Sequence, residues 1–468
     1  MLFIFSLLLS CTLGWFIVGL AWKTPISGPL VVLNASLAVA VGCGIASIVF
    51  FLSSIFFGPT LFPDILIETA LVIIVGWRWW RQRAGRQHQN HQRPPAASPG
   101  WVRSPYVLAT LGVGLVIGLL TLFIIARDQA DGGWDAWAFW NTHARFLLRG
   151  GDDWRDVFTL TNYFHPDYPW LVPSLVARGW MVANSETAFV PIVISLLFTL
   201  TTCLLLGSAL TLLHSPLQGG VAVALLLGNI TFVINGAGQV SDIPVSLYLL
   251  SVFVVWYLAE HAMLKQLPAL GLIGFLLACT AWAKNEGLAI FMIGFIVFGG
   301  ALWRRNKTFP WKLIATLGIG AAPVFLTVLI FKFSLAPAGD LLVGQSESSV
   351  SKLLNFSRYG DIARLYAIGL INFGRGIGAI LLIYGLLIGS GRNKWRYVTI
   401  PLLIIILIQL MYLGVYLLTP FNVVWHISTS LGRLLLHTWP SLVFAVLLVL
   451  NIPTRLTHGN DITGLSRK

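Results

Sequence analysis

The chain has 468 residues, of which 57% are hydrophobic and only 10% charged, with a formal net charge of +13 and a mean hydropathy of +0.83. A water-exposed protein usually carries about 25% charged residues, so lipid must be the solvent for most of this chain. That excludes a soluble enzyme, and continuous rather than alternating apolar runs exclude a β-barrel.

The basic excess does not point to nucleic acid. It lies in short loops between apolar runs, where a membrane protein stores its topology signal. Cys11, Cys43, Cys203 and Cys279 all fall inside apolar runs and read as small packing residues. Unpaired peptide groups in hydrocarbon cost several kcal/mol each, so the spanning segments must be helical.

Apolar runs of roughly 17–25 residues, the length needed to span, begin near Leu2, Leu30, Leu61, Tyr106, Thr187, Gly219, Asp242, Leu267, Gly287, Trp311, Ala363, Thr399 and Leu431. They predict an all-α polytopic membrane protein of about thirteen transmembrane helices, with interfacial helices in one external loop. Residues 1–22 lack the basic start of a secretory signal and read as a retained first helix.

Four blocks follow in chain order: a three-helix extension over 1–80, a basic linker over 81–105, a main transmembrane unit over 106–451 and a tail over 452–468. The stretch from Arg78 to Arg103 holds six arginines and no acid, which makes it cytoplasmic. Counting helices forward puts Arg304-Arg305-Asn306-Lys307, Arg392-Asn393-Lys394-Trp395-Arg396 and Arg467-Lys468 on the same side. The N-terminus is then outside and the C-terminus inside.

The opposite, external side collects the unusual polar residues. In Asp131-Gly132-Gly133-Trp134-Asp135-Ala136-Trp137-Ala138-Phe139-Trp140, the tryptophans recur at helical spacing, as in a helix lying in the membrane interface. Asp131 suits a helix N-cap. Asp135 lies off the tryptophan face, either as a solvated residue or as a general base for a hydroxyl. Next comes Phe164-His165-Pro166-Asp167-Tyr168-Pro169-Trp170, a proline-stiffened turn in which His165 and Asp167 are candidates to bind a polar ligand. His-x-Asp alone is too little for a metal site.

Asp242 opens a later helix in Ser241-Asp242-Ile243-Pro244 and suits an N-cap. Lys284 and Glu286 share the turn Trp282-Ala283-Lys284-Asn285-Glu286-Gly287, where Lys284 either pairs with Glu286 or holds a phosphate. Further external pieces run from Ala336 to Asp361 and from Pro420 to Ser430. Arg375 lies deep, in Asn372-Phe373-Gly374-Arg375-Gly376. Arg433 shares one helix face with Thr429 and His437. An arginine inside a span is costly and is usually functional or paired, with snorkelling as the alternative for Arg433.

Taken in order, these motifs resemble the GT-C superfamily of membrane glycosyltransferases, which includes the protein O-mannosyltransferases and the lipid A aminoarabinose transferases. The resemblance runs from about Tyr106 to Asn451. Its carriers are the acids Asp131 and Asp135 in the first large external loop, the element His165-Pro166-Asp167-Tyr168-Pro169, the opening Asp242-Ile243-Pro244 and the turn Ala283-Lys284-Asn285-Glu286-Gly287. The chain departs from it where His-Pro-Asp replaces His-Pro-Pro and where three helices and a basic linker come first.

The resemblance implies a sugar donor on a polyprenyl phosphate and an external glycan, lipid or protein acceptor. It implies Asp135, with Asp131, as the catalytic acids. His165, Asp167, Tyr168, Asp242, Lys284, Glu286, Arg375 and Arg433 would line the substrates. No cofactor beyond the lipid-linked donor is implied, and a divalent metal has no ligand set behind it. The setting implied is a bacterial inner membrane with the site facing outward. Rival classes are a polysaccharide polymerase or ligase and a secondary transporter.

Overall fold

The computed structural model describes residues 2–84, 105–160, 164–306, 308–339, 349–391 and 395–451. The basic stretch 85–104, residues 340–348 of the expected external piece 336–361, residues 392–394 of the basic run 392–396 and the tail 452–468 lie outside the described residues.

The apolar runs fold as helices: α1 (Leu2–Ala21), α2 (Pro29–Phe57), α3 (Leu61–Ala84), α4 (Pro105–Asp128), α5 (Asn141–Arg149), α6 (Leu171–Ala183), α7 (Phe189–Leu213), α8 (Pro216–Leu227) and α9 (Ile230–Ala237). The second half adds α10 (Asp242–Glu260), α11 (Gln266–Ala283), α12 (Asn285–Arg305), α13 (Trp311–Ser334), α14 (Ser349–Leu354), α15 (Phe356–Asn372), α16 (Ile377–Ile388), α17 (Trp395–Leu418) and α18 (Val423–Val449). Among the described residues, 10 helices are long and apolar enough to cross a membrane, and up to 12 if each of two bent pairs is one span. The chain is therefore an all-α integral membrane protein. The helix α3 falls outside that count, because Asp64, Glu68, Arg78, Arg81 and Arg83 interrupt it.

Local chemistry sets the boundaries. Ser215 caps α8 through Gln218 N, Asn229 caps α9 through Thr231 N and Phe232 N, and Asn422 caps α18 through Trp425 N. Two runs that read as single spans are broken. The pair α8 and α9 bends by 70° at Gly228-Asn229, and α15 and α16 bend by 84° at Gly374-Arg375-Gly376. All three residues of the second break have positive φ, at 56°, 58° and 86°, a run that no continuous right-handed helix admits. The two breaks touch: a Cβ on Gly374 would lie 2.5 Å from Asn229 Oδ1.

Packing relies on small residues where backbones meet. In the α11–α13 contact, a Cβ on Gly274 would lie 2.0 Å from Leu317 O, and one on Gly320 would lie 2.1 Å from Gly271 O. Close backbone approach of this kind is how helices associate when lipid tails are as apolar as leucine. The most enclosed helix is α10, packed by α11, α18 and α7, with Tyr248 fully buried at its middle. The N-terminal helices do not stand apart. The helix α2 packs along α6 and α7, and Arg178 of α6 reaches Ser10 of α1 and the acids of α3.

The bundle has two chemically different ends. At one, Lys23 N donates to Met263 O and Lys265 N to Ala21 O, Gln82 reaches Leu20 O, Arg305 pairs with Glu260, and Ser390 bridges Leu450. Arg81, Arg83, Arg304 and Arg396 belong to this basic end by their place at these helix termini. The other end begins at Asp242, about 27 Å away along α10 at 1.5 Å per residue. That is close to the roughly 30 Å of a hydrocarbon core.

Candidate functional site

Asp242 is the first residue of α10, and three elements converge on it. Lys284, between α11 and α12, places Nζ 2.9 Å from Oδ1. Arg433 of α18 donates from Nε and Nη2 to Oδ2 at 3.1 and 2.9 Å. His437, one turn further along α18, places Nε2 2.8 Å from Oδ1, while its Nδ1 lies 2.8 Å from the Tyr412 hydroxyl of α17. A neutral imidazole with its proton on Nε2 satisfies both partners. Asp242 is 0% exposed and receives four donors on two oxygens. It caps no helix through its side chain; it organises the cations of the site. The expected N-cap role is not seen, because the Asp242 side chain caps no helix and instead gathers these donors.

Arg433 is not snorkelling. Its third nitrogen, Nη1, meets Asp135 Oδ2 at 2.5 Å, so one guanidinium ties the first long loop to the last helix. Asp135 is accordingly paired rather than freely solvated. It sits immediately before a π turn over Ala136–Trp140, an insertion often found at functional sites because it redirects the side chains beside it. Gly133 N donates to Gly238 O, and Asn141 Nδ2 donates to Gln239 Oε1 at 2.9 Å, which fixes this segment against the approach to α10. Lys284 also meets Glu286 at 3.3 Å. Asp131 is exposed and makes no hydrogen bond or ion pair with the cluster.

A second group lies beside the first. Asp167 accepts from Asn285 Nδ2 at 2.6 Å through Oδ2, and its main-chain oxygen accepts from Lys332 Nζ at 2.6 Å. Lys332 also reaches Asn285 Oδ1 at 2.6 Å. The Pro166 turn brings Tyr168 N to His165 O at 3.0 Å, with His165 at φ 41°, a backbone rarely held by a non-glycine residue. The His165 ring stacks on Tyr168 at 4.9 Å, and Tyr168 stacks on Trp140 at 5.4 Å. Desolvation, helped by the carboxylates of Glu286 and Asp167, holds the Tyr168 phenol well above its usual range, so it stays protonated as a donor.

The tryptophan stripe is only partly as expected. Trp134 and Trp137 are 52% and 51% exposed, but Trp140 is fully buried against Tyr168. The π turn explains the difference, because it takes the third indole off the helical face that strict 3.6-residue spacing would give it.

Arg375 does not join the cluster. It is exposed at the α15–α16 break, beyond a bend of 84°. The structure therefore brings together Asp135, Asp242, Lys284, Glu286 and Arg433, sets His165, Asp167 and Tyr168 beside them, and leaves Asp131 and Arg375 apart. Sequence reading gave no role to His437, Tyr412, Asn285 or Lys332. The findable signals were His437 four residues beyond Arg433 and Lys332 as a lone lysine in an apolar run. Among the described residues, no group of three or more His, Cys, Asp or Glu is placed to hold a metal ion.

Three carboxylates, Asp135, Asp242 and Glu286, are interleaved with two basic side chains, Arg433 and Lys284. Such a site can bind an anion at its cations and take a proton at a carboxylate. No known protein family, curated protein or solved structure matches the chain.

Proposed function

We propose that the chain is a membrane glycosyltransferase that moves a sugar from a polyprenyl-phosphate donor to an acceptor at the end of the bundle opposite its basic termini. The observation that carries the reading is the single guanidinium of Arg433, bound at once to the loop carboxylate Asp135 and the buried Asp242. It puts a candidate base next to a candidate anion site near one face of the membrane, where a lipid phosphate and a water-borne hydroxyl can meet. In this reading α3 adds a thirteenth span, with its acids neutralised by Arg178, and the arginine-rich end faces the cytoplasm of a bacterial inner membrane.

The chemistry follows from the placement. The acceptor hydroxyl attacks the anomeric carbon, and Asp135 takes its proton. The carbon–oxygen bond to phosphate breaks on the opposite side, so the configuration inverts. The electron pair leaves with the polyprenyl phosphate, whose developing charge Arg433 and Lys284 stabilise. Asp242 touches neither substrate; it positions the two cations. Tyr168 supplies a phenol donor and, with Trp140 and His165, an aromatic wall.

Asp135→Asn tests the reading. The amide is nearly isosteric but accepts no proton, so turnover of a polyprenyl-phosphate sugar should fall by about 10²–10⁴-fold, the usual worth of general-base catalysis. Near-normal turnover would reassign the base. Mass spectrometry of envelope glycans and glycolipids with and without the protein identifies sugar and acceptor.

A secondary transporter is the second reading, favoured by the two broken spans that meet at Asn229 and Gly374. Transporters build midplane sites from such discontinuous helices. Here the charged cluster lies close to the breaks, since Phe373 packs on Trp439 two residues beyond His437, but its members come from the unbroken helices α10 and α18, the α11–α12 turn and the first long loop. Substrate uptake into proteoliposomes, without sugar transfer, would select this reading.

A further inference from the structure

We infer that Asp135 and the donor's phosphate compete for one edge of Arg433, so that donor binding is what releases the base. The inference rests on the proposed function and assigns a regulation to that site. The guanidinium has three nitrogens, and each is engaged. Nε and Nη2 face Asp242, and Nη1 faces Asp135. The two carboxylates differ in how firmly they are held. Asp242 is 0% exposed and keeps Lys284 and His437 as well, so its withdrawal would strand a cation in the interior.

Asp135 is the partner that can yield. Its side chain is 17% exposed, and Arg433 is its single ion-pair partner among the described residues. It stands in the first turn of the helix that runs through the π turn, so rotation about its own side-chain bonds is enough to lift it off Nη1 with the backbone in place.

A phosphate oxygen approaching Arg433 must take the Nη1 edge, because Asp242 occupies the other. The donor's phosphate is a diester that matches the charge and fork of a carboxylate, and it meets Lys284 as well, a cation Asp135 does not reach, so it takes the place of Asp135 at Nη1. The displaced carboxylate has lost its cation but remains beside the bound donor. There it is placed to take the proton of an incoming hydroxyl. The empty site therefore keeps its base masked, and substrates bind in the order donor, then acceptor.

The test is binding of farnesyl phosphate, a lipid monophosphate with no sugar to transfer, to the purified full chain in detergent by isothermal titration calorimetry, with farnesol as control. Asp135→Asn should bind farnesyl phosphate about two- to fivefold more tightly than the natural chain, the equilibrium worth of a partly exposed ion pair. Asp135→Glu, which keeps the competing charge, should stay near the natural affinity, and neither variant should change farnesol binding. Tighter binding by Asp135→Asn without a matching change for farnesol supports the competition. Equal or weaker binding overturns it while leaving the lipid-phosphate reading in place. If neither the natural chain nor Asp135→Asn binds farnesyl phosphate, both the competition and the donor reading fall.

Discussion

Arg178 offers a sharp test of how the N-terminal helices are fastened to the rest of the bundle. Its guanidinium is 2% exposed, donates to Asp64 Oδ2 at 2.7 Å and Ser10 Oγ at 3.2 Å, and also donates to Glu68. Asp64 and Glu68 are both 0% exposed, and each has a second oxygen with no hydrogen-bond partner. Removing the cation leaves two buried carboxylates uncompensated. Breaking a buried pair from one side typically costs about 3–5 kcal/mol. Arg178→Met should therefore lower the thermal midpoint by something on the order of 5–10 °C, followed by tryptophan fluorescence in detergent.

The reasoning makes a second demand. If the loss comes from stranded charge and not from lost packing, the triple variant Arg178→Met, Asp64→Leu, Glu68→Met should recover most of it, since apolar replacement of a whole buried ion cluster is often neutral. A single variant as stable as the natural chain, or a triple variant no better than the single one, would refute the argument.

Three further outcomes follow. Asp242→Asn should unfold the site locally and destabilise the chain by about 3–5 kcal/mol, because Lys284 and Arg433 lose their shared buried acceptor; an unchanged thermal midpoint with intact lipid-phosphate binding would contradict its anchoring role. Burial holds the His143 imidazole down at about 4, with Nε2 donating to Phe164 O at 2.8 Å. Its folded value lies below the ordinary 6.5, so the unfolded chain takes the proton first. Stability should be full above about pH 6.5, decline toward pH 4 and then level off. His143→Gln should remove that component from the pH profile of the thermal midpoint, and overlapping profiles would count against it. In a cysteine-free background, Asp152→Cys should label from outside intact cells and Ser390→Cys only after permeabilisation; the reverse pattern would invert the topology.

Composition and run length were enough to determine the class, because so few charges can be solvated only by lipid and lipid admits only helices here. Cap chemistry was a poorer guide: Asp242, expected to cap, makes no cap hydrogen bond, and Ser215, Asn229 and Asn422, which do cap, drew no notice in the sequence. The breaks at Asn229 and Gly374-Arg375-Gly376 were not legible, because the flanking runs are apolar enough to read as single spans, and a bend depends on what each half packs against. The charge on α3 was visible, but its partner was not: Arg178 stands 110 residues from Glu68 along the chain.

The candidate site shows the same division. Sequence alone singled out Asp135, Asp242, Lys284, Glu286 and Arg433, because ionisable residues at the edges of apolar runs are costly unless they have work to do. Only the tertiary structure decided which acid meets a single cation at the rim and which is buried under four donors. Asp135 and Asp242 look alike in sequence, each an aspartate near a helix start. They differ because α10 is buried on every side and its first carboxylate must be satisfied in full from α11 and α18, whereas the Asp135 loop meets Arg433 at the rim with solvent still at hand. Burial and the number of convergent donors are properties of how distant helices pack, and a linear sequence does not contain them.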